Sequence, residues 1–175
     1  MKILVIDDSP VHQQSARQTL EGHELTVVSS YDEALKFMGQ SQWENVNPRP
    51  VFDAVLTDLM MPAGMGLLGG DGMKYVGQEM PMGFGLALLA VLCSGAKLVG
   101  VVTDMTRHDH PASRLLGLLI GRDEQWVANG KPRFVMNGVT VGFYCDGAGV
   151  GSVVVPGSES PGKDWGKVLA HLLKG

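Results

Sequence analysis

Apolar and polar positions in the first sixty residues follow two alternating periods. Ile3-Leu4-Val5-Ile6 is a short continuous apolar run that stops at two acids, Asp7 and Asp8. The stretch from Val51 to Leu56 has the same design and reaches its own acid at Asp58. Continuous apolar runs of this length, bounded by turn signals, predict strands covered on both faces. Between them the period lengthens. Ser9-Pro10 supplies a cap and a first helical proline, and Val11, Ala16 and Leu20 form a helical stripe running to Gly22. Leu25 to Val28 predicts a second strand. Ser30 then caps a second helix with Ala34, Leu35 and Met38 inward, ended by Gly39. A polar loop with two prolines, Gln40 to Pro50, leads into the strand ending at Asp58. The order β-α-β-α-β implies parallel strands joined by right-handed crossovers.

The pattern changes at residue 59. From there to residue 83 the chain carries Gly64, Gly66, Gly69, Gly70, Gly72, Gly77 and Gly83, with Met60, Met61, Met65, Met73, Met80 and Met82 among them. So long a connection is uncommon in a compact domain, and this one starts at an acid, so it can reach over that end of the sheet. Its methionines can equally pack as an apolar flap. Gly64 to Gly69 matches the dinucleotide fingerprint in form, but Pro62 precedes it and Gly70-Asp71-Gly72 follows it, where that motif needs a strand turning directly into a helix. Regular periods then return. Phe84 to Cys93 reads as a helix, Leu98 to Thr103 as a fourth parallel strand and Pro111 to Ile120 as another helix. Arg133 to Tyr144 reads as a hairpin turning at Asn137-Gly138. A Gly/Ser/Pro-rich loop, 146–163, surrounds a short Val153-Val154-Val155 run. Trp165 to Leu173 closes as a helix with Val168, Leu169, Leu172 and Leu173 inward.

Composition narrows the classes. The 175 residues suit one domain spanning 1–175, and 45% hydrophobic with 18% charged residues suits a soluble globular chain. A net charge of −4 without any Lys/Arg run argues against a nucleic-acid surface. The apolar run from Phe84 to Val102 is broken by Gly95 and Lys97 and reads as core, not as a membrane span. Acids at positions 7 and 8 interrupt the N-terminus too early for a secretion signal. Cys93 and Cys145 lie far apart among apolar residues and read as buried thiols in a reducing, cytoplasmic setting. Twenty-four glycines, concentrated from position 64 onward, predict loops and close backbone contacts.

The candidate chemistry is acidic. If the first and third strands are neighbours, Asp7, Asp8 and Asp58 meet at their carboxyl ends, the edge where open parallel sheets collect ligands. Three carboxylates so placed repel one another, and a hard divalent cation with oxygen ligands relieves the repulsion. Ile-Asp-Asp-Ser closing the first strand and Asp-Leu-Met-Met-Pro after the third resemble the response regulator receiver domains of two-component signalling. The resemblance is strong over residues 1–62 and partial over 84–120. It implies the flavodoxin-like fold of the chemotaxis regulator: a doubly wound, parallel five-stranded sheet in the order 2-1-3-4-5, here with an added hairpin strand near the C-terminal edge. It further implies a stand-alone receiver in a phosphorelay, a signalling phosphoacceptor and not a turnover enzyme. Asp58 would accept a phosphoryl group from a histidine kinase or histidine phosphotransfer protein. Mg2+ would be held by Asp7, Asp8, Asp58 and the backbone carbonyl of Met60, with Thr103 binding the phosphoryl group.

Two positions depart from the family pattern. Receivers follow the fourth-strand hydroxyl with a small residue, and this chain has Asp104, which can repel phosphate, ligate a second ion or point away. They also carry a lysine, typically followed by proline, at the end of the fifth strand. Lys131-Pro132 has that dipeptide but precedes the best strand. Two other readings therefore stand beside the first. One is a pseudo-receiver that binds a partner or small ligand without phosphorylation. The other is a metal-dependent enzyme acting on a phosphorylated small molecule through the acids with His108 and His110, two histidines that can instead be solvated or cap the helix at Pro111.

Overall fold

A six-stranded sheet organises the chain in the computed structural model, which describes residues 1–42, 44–65, 69–105, 110–120, 133–145 and 151–174. Its strands are β1 (Lys2–Ile6), β2 (Glu24–Val28), β3 (Ala54–Asp58), β6 (Leu98–Val102), β7 (Arg133–Met136) and β8 (Val139–Tyr144), in the spatial order β2-β1-β3-β6-β8-β7. All pairings are parallel except β7 with β8. The expected five-stranded order is therefore present, and β8 is the fifth parallel strand. The added strand is β7, turned back by Asn137 and Gly138, whose φ angles of 51° and 75° are those of a type I′ turn. Two short ribbons complete the strands: β4 (Met61–Pro62) with β5 (Glu79–Met80), and β9 (Ser152–Val153) with β10 (Gly162–Lys163).

Helices cover both faces, as parallel strands require. On one face α1 (Pro10–Thr19) and α5 (Trp165–Leu173) pack over Ile3, Val5, Leu56, Val102 and Tyr144. On the other, α2 (Tyr31–Phe37), α3 (Met82–Leu89) and α4 (Pro111–Ile120) flank Leu4, Ile6, Val55, Val99 and Phe143. Ser30 caps α2 by accepting the Glu33 N–H at 3.2 Å, whereas Ser9 precedes α1 without a side-chain cap. Val168, Leu169 and Leu172 are buried as the stripe of α5 predicts, but Leu173 is 55% exposed. Nine residues at 3.6 per turn carry Leu173 about 100° beyond Leu172, past the edge of the buried stripe.

Glycine works here by letting elements approach. Gly100 and Gly142 are register partners on β6 and β8. A Cβ on Gly100 would meet Leu172 and Val168 at 3.3 Å, and one on Gly142 would meet Leu172 at 2.9 Å, so the pair forms the bare strip on which α5 rests.

The 59–83 excursion has its own structure and is more than a loop. Its base is the β4–β5 ribbon, a 3-10 helix (Gly70–Tyr75) lies within it, and its end is tied to its start by Gly83 N–H donating to the Leu59 carbonyl at 2.9 Å. The methionines divide by position. Met60 and Met61 are buried in the main core, while Met65 and Met73 are exposed. Among the described residues, no helix is long and apolar enough to cross a membrane. Neither Cys93 nor Cys145 forms a disulfide, and Cys145 is buried.

Candidate functional site: an acidic cluster closed by a buried lysine

The register of β1 against β3 pairs Ile6 with Thr57, so both strands release their acids at one end of the sheet. Carboxylate oxygens of Asp7, Asp8 and Asp58 lie within 4.8 Å of one another. Asp7 is fully buried, Asp58 nearly so, and Asp8 partly exposed at the rim. Thr103 follows β6 one position beyond the residue paired with Asp58, and it is fully buried. Its Oγ1 accepts the Met105 N–H at 3.2 Å, leaving its own proton for another acceptor. Met60, two residues past Asp58, is buried beside the β4 ribbon.

Among the described residues, the lysine at this site is Lys163. Its ammonium lies 2.7 Å from Asp7 Oδ2 and 2.9 Å from Asp58 Oδ1, with 1% of the side chain exposed. Lys131 and His108 lie outside the described residues. Lys163 belongs to β10, which is outside the main sheet, and it directly precedes α5. The chain leaves β8 at Tyr144 and reaches Lys163 only after the insertion that contains β9. Reading from the sequence passed it over because no strand pattern leads into it. The signal available was its place, a lysine two residues before the last helix and following Pro161-Gly162.

Hydrogen bonds fix the two buried acids differently. Asp7 accepts from Ser9 N–H through Oδ1 and from Lys163 through Oδ2. Asp58 Oδ1 accepts both Lys163 and the Leu59 N–H, the latter at 2.7 Å. Asp58 Oδ2 has no hydrogen bond among the described residues. Burial pushes Asp58 up to about 7, with Asp7 adding to the shift and Lys163 opposing it. Burial and then Asp7 also raise Asp8. For Lys163 burial alone would lower the value, but Asp58 and Asp7 together hold it above the ordinary lysine range. With all three acids ionised, three carboxylates and one ammonium leave two negative charges in the cluster, the amount a divalent cation cancels. The donors are all oxygen and lie within 4.8 Å of one another, so the residues fit a bound metal ion.

Asp104 neither joins this cluster nor stands free. Its Oδ2 lies 3.2 Å from Nε2 of His12, a buried α1 residue. That bond is the main cause holding the Asp104 carboxyl down at about 2. His12 and Asp104 line an open cleft of about 530 Å³ with Ser9, Ser152, Ser160 and Lys163. His110 Nδ1 accepts the Ala112 N–H at 3.1 Å and so caps the start of α4. The dinucleotide-like glycines lie partly outside the described residues, and no strand-to-α-helix turn is described there.

No family model and no curated protein matches the chain. Among solved structures it is similar to the N-terminal domain of a response regulator/sensory box/GGDEF three-domain protein from Carboxydothermus hydrogenoformans. That likeness has 19% identity, 83% of this chain and 80% of the other covered, and a TM-score of 0.40. It is also similar to the protein lin1944 from Listeria innocua, with 11% identity, 83% and 76% coverage, and a TM-score of 0.45.

Proposed function

We propose that this chain is a single receiver-like domain that accepts a phosphoryl group on Asp58 Oδ2, serving a histidine kinase or histidine phosphotransfer protein in a phosphorelay. The observation that carries this reading is the meeting of Asp7, Asp8 and Asp58 with the buried Lys163 at the carboxyl end of a parallel sheet. In the transfer, the bond from phosphorus to the donor's leaving atom breaks and the bond to Asp58 Oδ2 forms, with the leaving group taking the electron pair. Lys163, already at Asp58, meets the negative oxygens of the transferred group, and the Thr103 hydroxyl donates its proton to one of them. A divalent cation, Mg2+ in this reading, would be held by Asp7, Asp8, Asp58 and the Met60 carbonyl. When bound it neutralises charge between two anions that would otherwise repel.

The test is incubation of the full chain with Mg2+ and a small acyl phosphate, followed by intact mass. One phosphate-sized, alkali-labile adduct is expected on the wild type and none on Asp58→Asn. An adduct that persists in Asp58→Asn, or no adduct at all, overturns the reading. A second reading, a pseudo-receiver that binds without phosphorylation, is favoured by one observation: Lys163 already partners both buried acids. It predicts Mg2+ binding without any adduct.

A further inference from the structure

His12 lies outside the acidic cluster, yet both of its ring nitrogens and its carbonyl are engaged by residues around the lysine. Nδ1 lies 3.3 Å from the backbone N of Lys163, and Nε2 lies 3.2 Å from Asp104 Oδ2. A backbone N–H can only donate, so Nδ1 must be the bare nitrogen and Nε2 must carry the proton that Asp104 accepts. The His12 carbonyl receives the Trp165 indole N–H at 3.0 Å and the Ser15 hydroxyl at 2.8 Å. Between these anchors, Gly162 lies so close to α1 that an added Cβ would meet Ser15 Oγ at 2.7 Å. The segment carrying Lys163 is thus seated on α1, with His12 at the centre of the contact.

We propose that His12 is the positioning residue of this site: oriented by Asp104, its ring holds the Lys163 backbone so that the ammonium rests on Asp7 and Asp58. Among the described residues β10 pairs only with the two-residue strand β9, so sheet register does not place Lys163 as it places the acids. The ring supplies the missing constraint. Asp104, which stands where receivers have a small residue, then serves to select the tautomer. The seating of the lysine is independent of the receiver reading; its effect on phosphoryl transfer rests on that reading.

Three measurements on the full chain test this. Long-range proton–nitrogen NMR of labelled histidine should show His12 in the Nε2–H form. His12→Gln keeps a donor for Asp104 but loses the acceptor for Lys163, whereas His12→Asn can keep an acceptor near the Nδ1 position. With the ammonium loosened from the carboxylates, His12→Gln should bind Mg2+ at least about threefold tighter by calorimetry and form the acyl-phosphate adduct about tenfold more slowly, the loss of roughly one hydrogen bond to a charged network. His12→Asn should stay within about twofold of wild type in both, given the retained bond. Opposite movements in metal affinity and adduct rate are not what loosened packing alone produces. The proposal is overturned if His12 is in the Nδ1–H form, if His12→Gln matches wild type, or if both quantities fall together. Should the wild type form no adduct, the receiver reading fails while the tautomer and the Mg2+ titrations still decide this one.

Discussion

The acids and the lysine of this site reach the same point by different physical routes. Asp7, Asp8 and Asp58 stand at the ends of β1 and β3, whose ladder is continuous from Ile3 with Ala54 to Ile6 with Thr57. Shifting one of them means shifting a strand with buried side chains on both faces. Lys163 sits on a two-residue ribbon whose contacts run to α1 through His12, Ser15 and the bare Cα of Gly162. The first half of the site is set by backbone pairing and the second by side-chain packing. A sheet tolerates substitutions around it; a packed ribbon depends on a few atoms.

The largest effect should come from removing the ammonium. Lys163→Met leaves two buried carboxylates uncompensated and should cost about 3–5 kcal/mol in urea unfolding at pH 8 without Mg2+. A loss below about 1 kcal/mol would mean that the acids do not depend on the lysine.

Next is Asp58→Asn, which acts in the opposite direction. A carboxyl whose folded value is raised to about 7 binds its proton more tightly when folded. Stability is then greatest below the unfolded value near ~4 and declines as pH rises toward 7. The variant should be more stable than wild type by about 2–4 kcal/mol at pH 8 and nearly equal at pH 4. Saturating Mg2+ should narrow the difference. A pH-independent difference would show that Asp58 titrates normally.

Gly162→Ala sharpens the contrast itself. Its Cβ has no room beside Ser15, so the ribbon must shift at about 1–3 kcal/mol, while the β1–β3 ladder stays intact. Mg2+ binding should survive in this variant although adduct formation falls. Loss of Mg2+ binding would place the acids under the same control as the lysine.

Asp104→Asn should give the smallest change, under about 1 kcal/mol at pH 7, because the carboxylate is 60% exposed and solvent screens the pair. A carboxyl held at about 2 contributes stability above its unfolded value that is lost as pH falls between ~4 and 2, so the difference should shrink by pH 3.

Much of this was legible in the residues. The period switch from Ile3 to Asp58 identified three strands and two helices, and Asn137-Gly138 identified the hairpin, because local backbone preference and apolar spacing decide those features. The acids were legible because each ends an apolar run. Lys163 was not, since β10 has neither a strand pattern nor a long ladder, and its partners are 105 and 156 residues away, as the positions of Asp58 and Asp7 show. Asp104 was legible only as an anomaly, and its partner, His12, is an α1 residue outside the apolar stripe of Val11, Ala16 and Leu20.

By itself the sequence determined where each strand ends and that carboxylates stand at two of those ends, through periodicity and propensity that act over a few residues. Only the tertiary structure decided which lysine meets them and how His12 holds it. Contacts of that kind form between segments far apart in the chain, and they depend on the distance of closest approach that Gly162 permits.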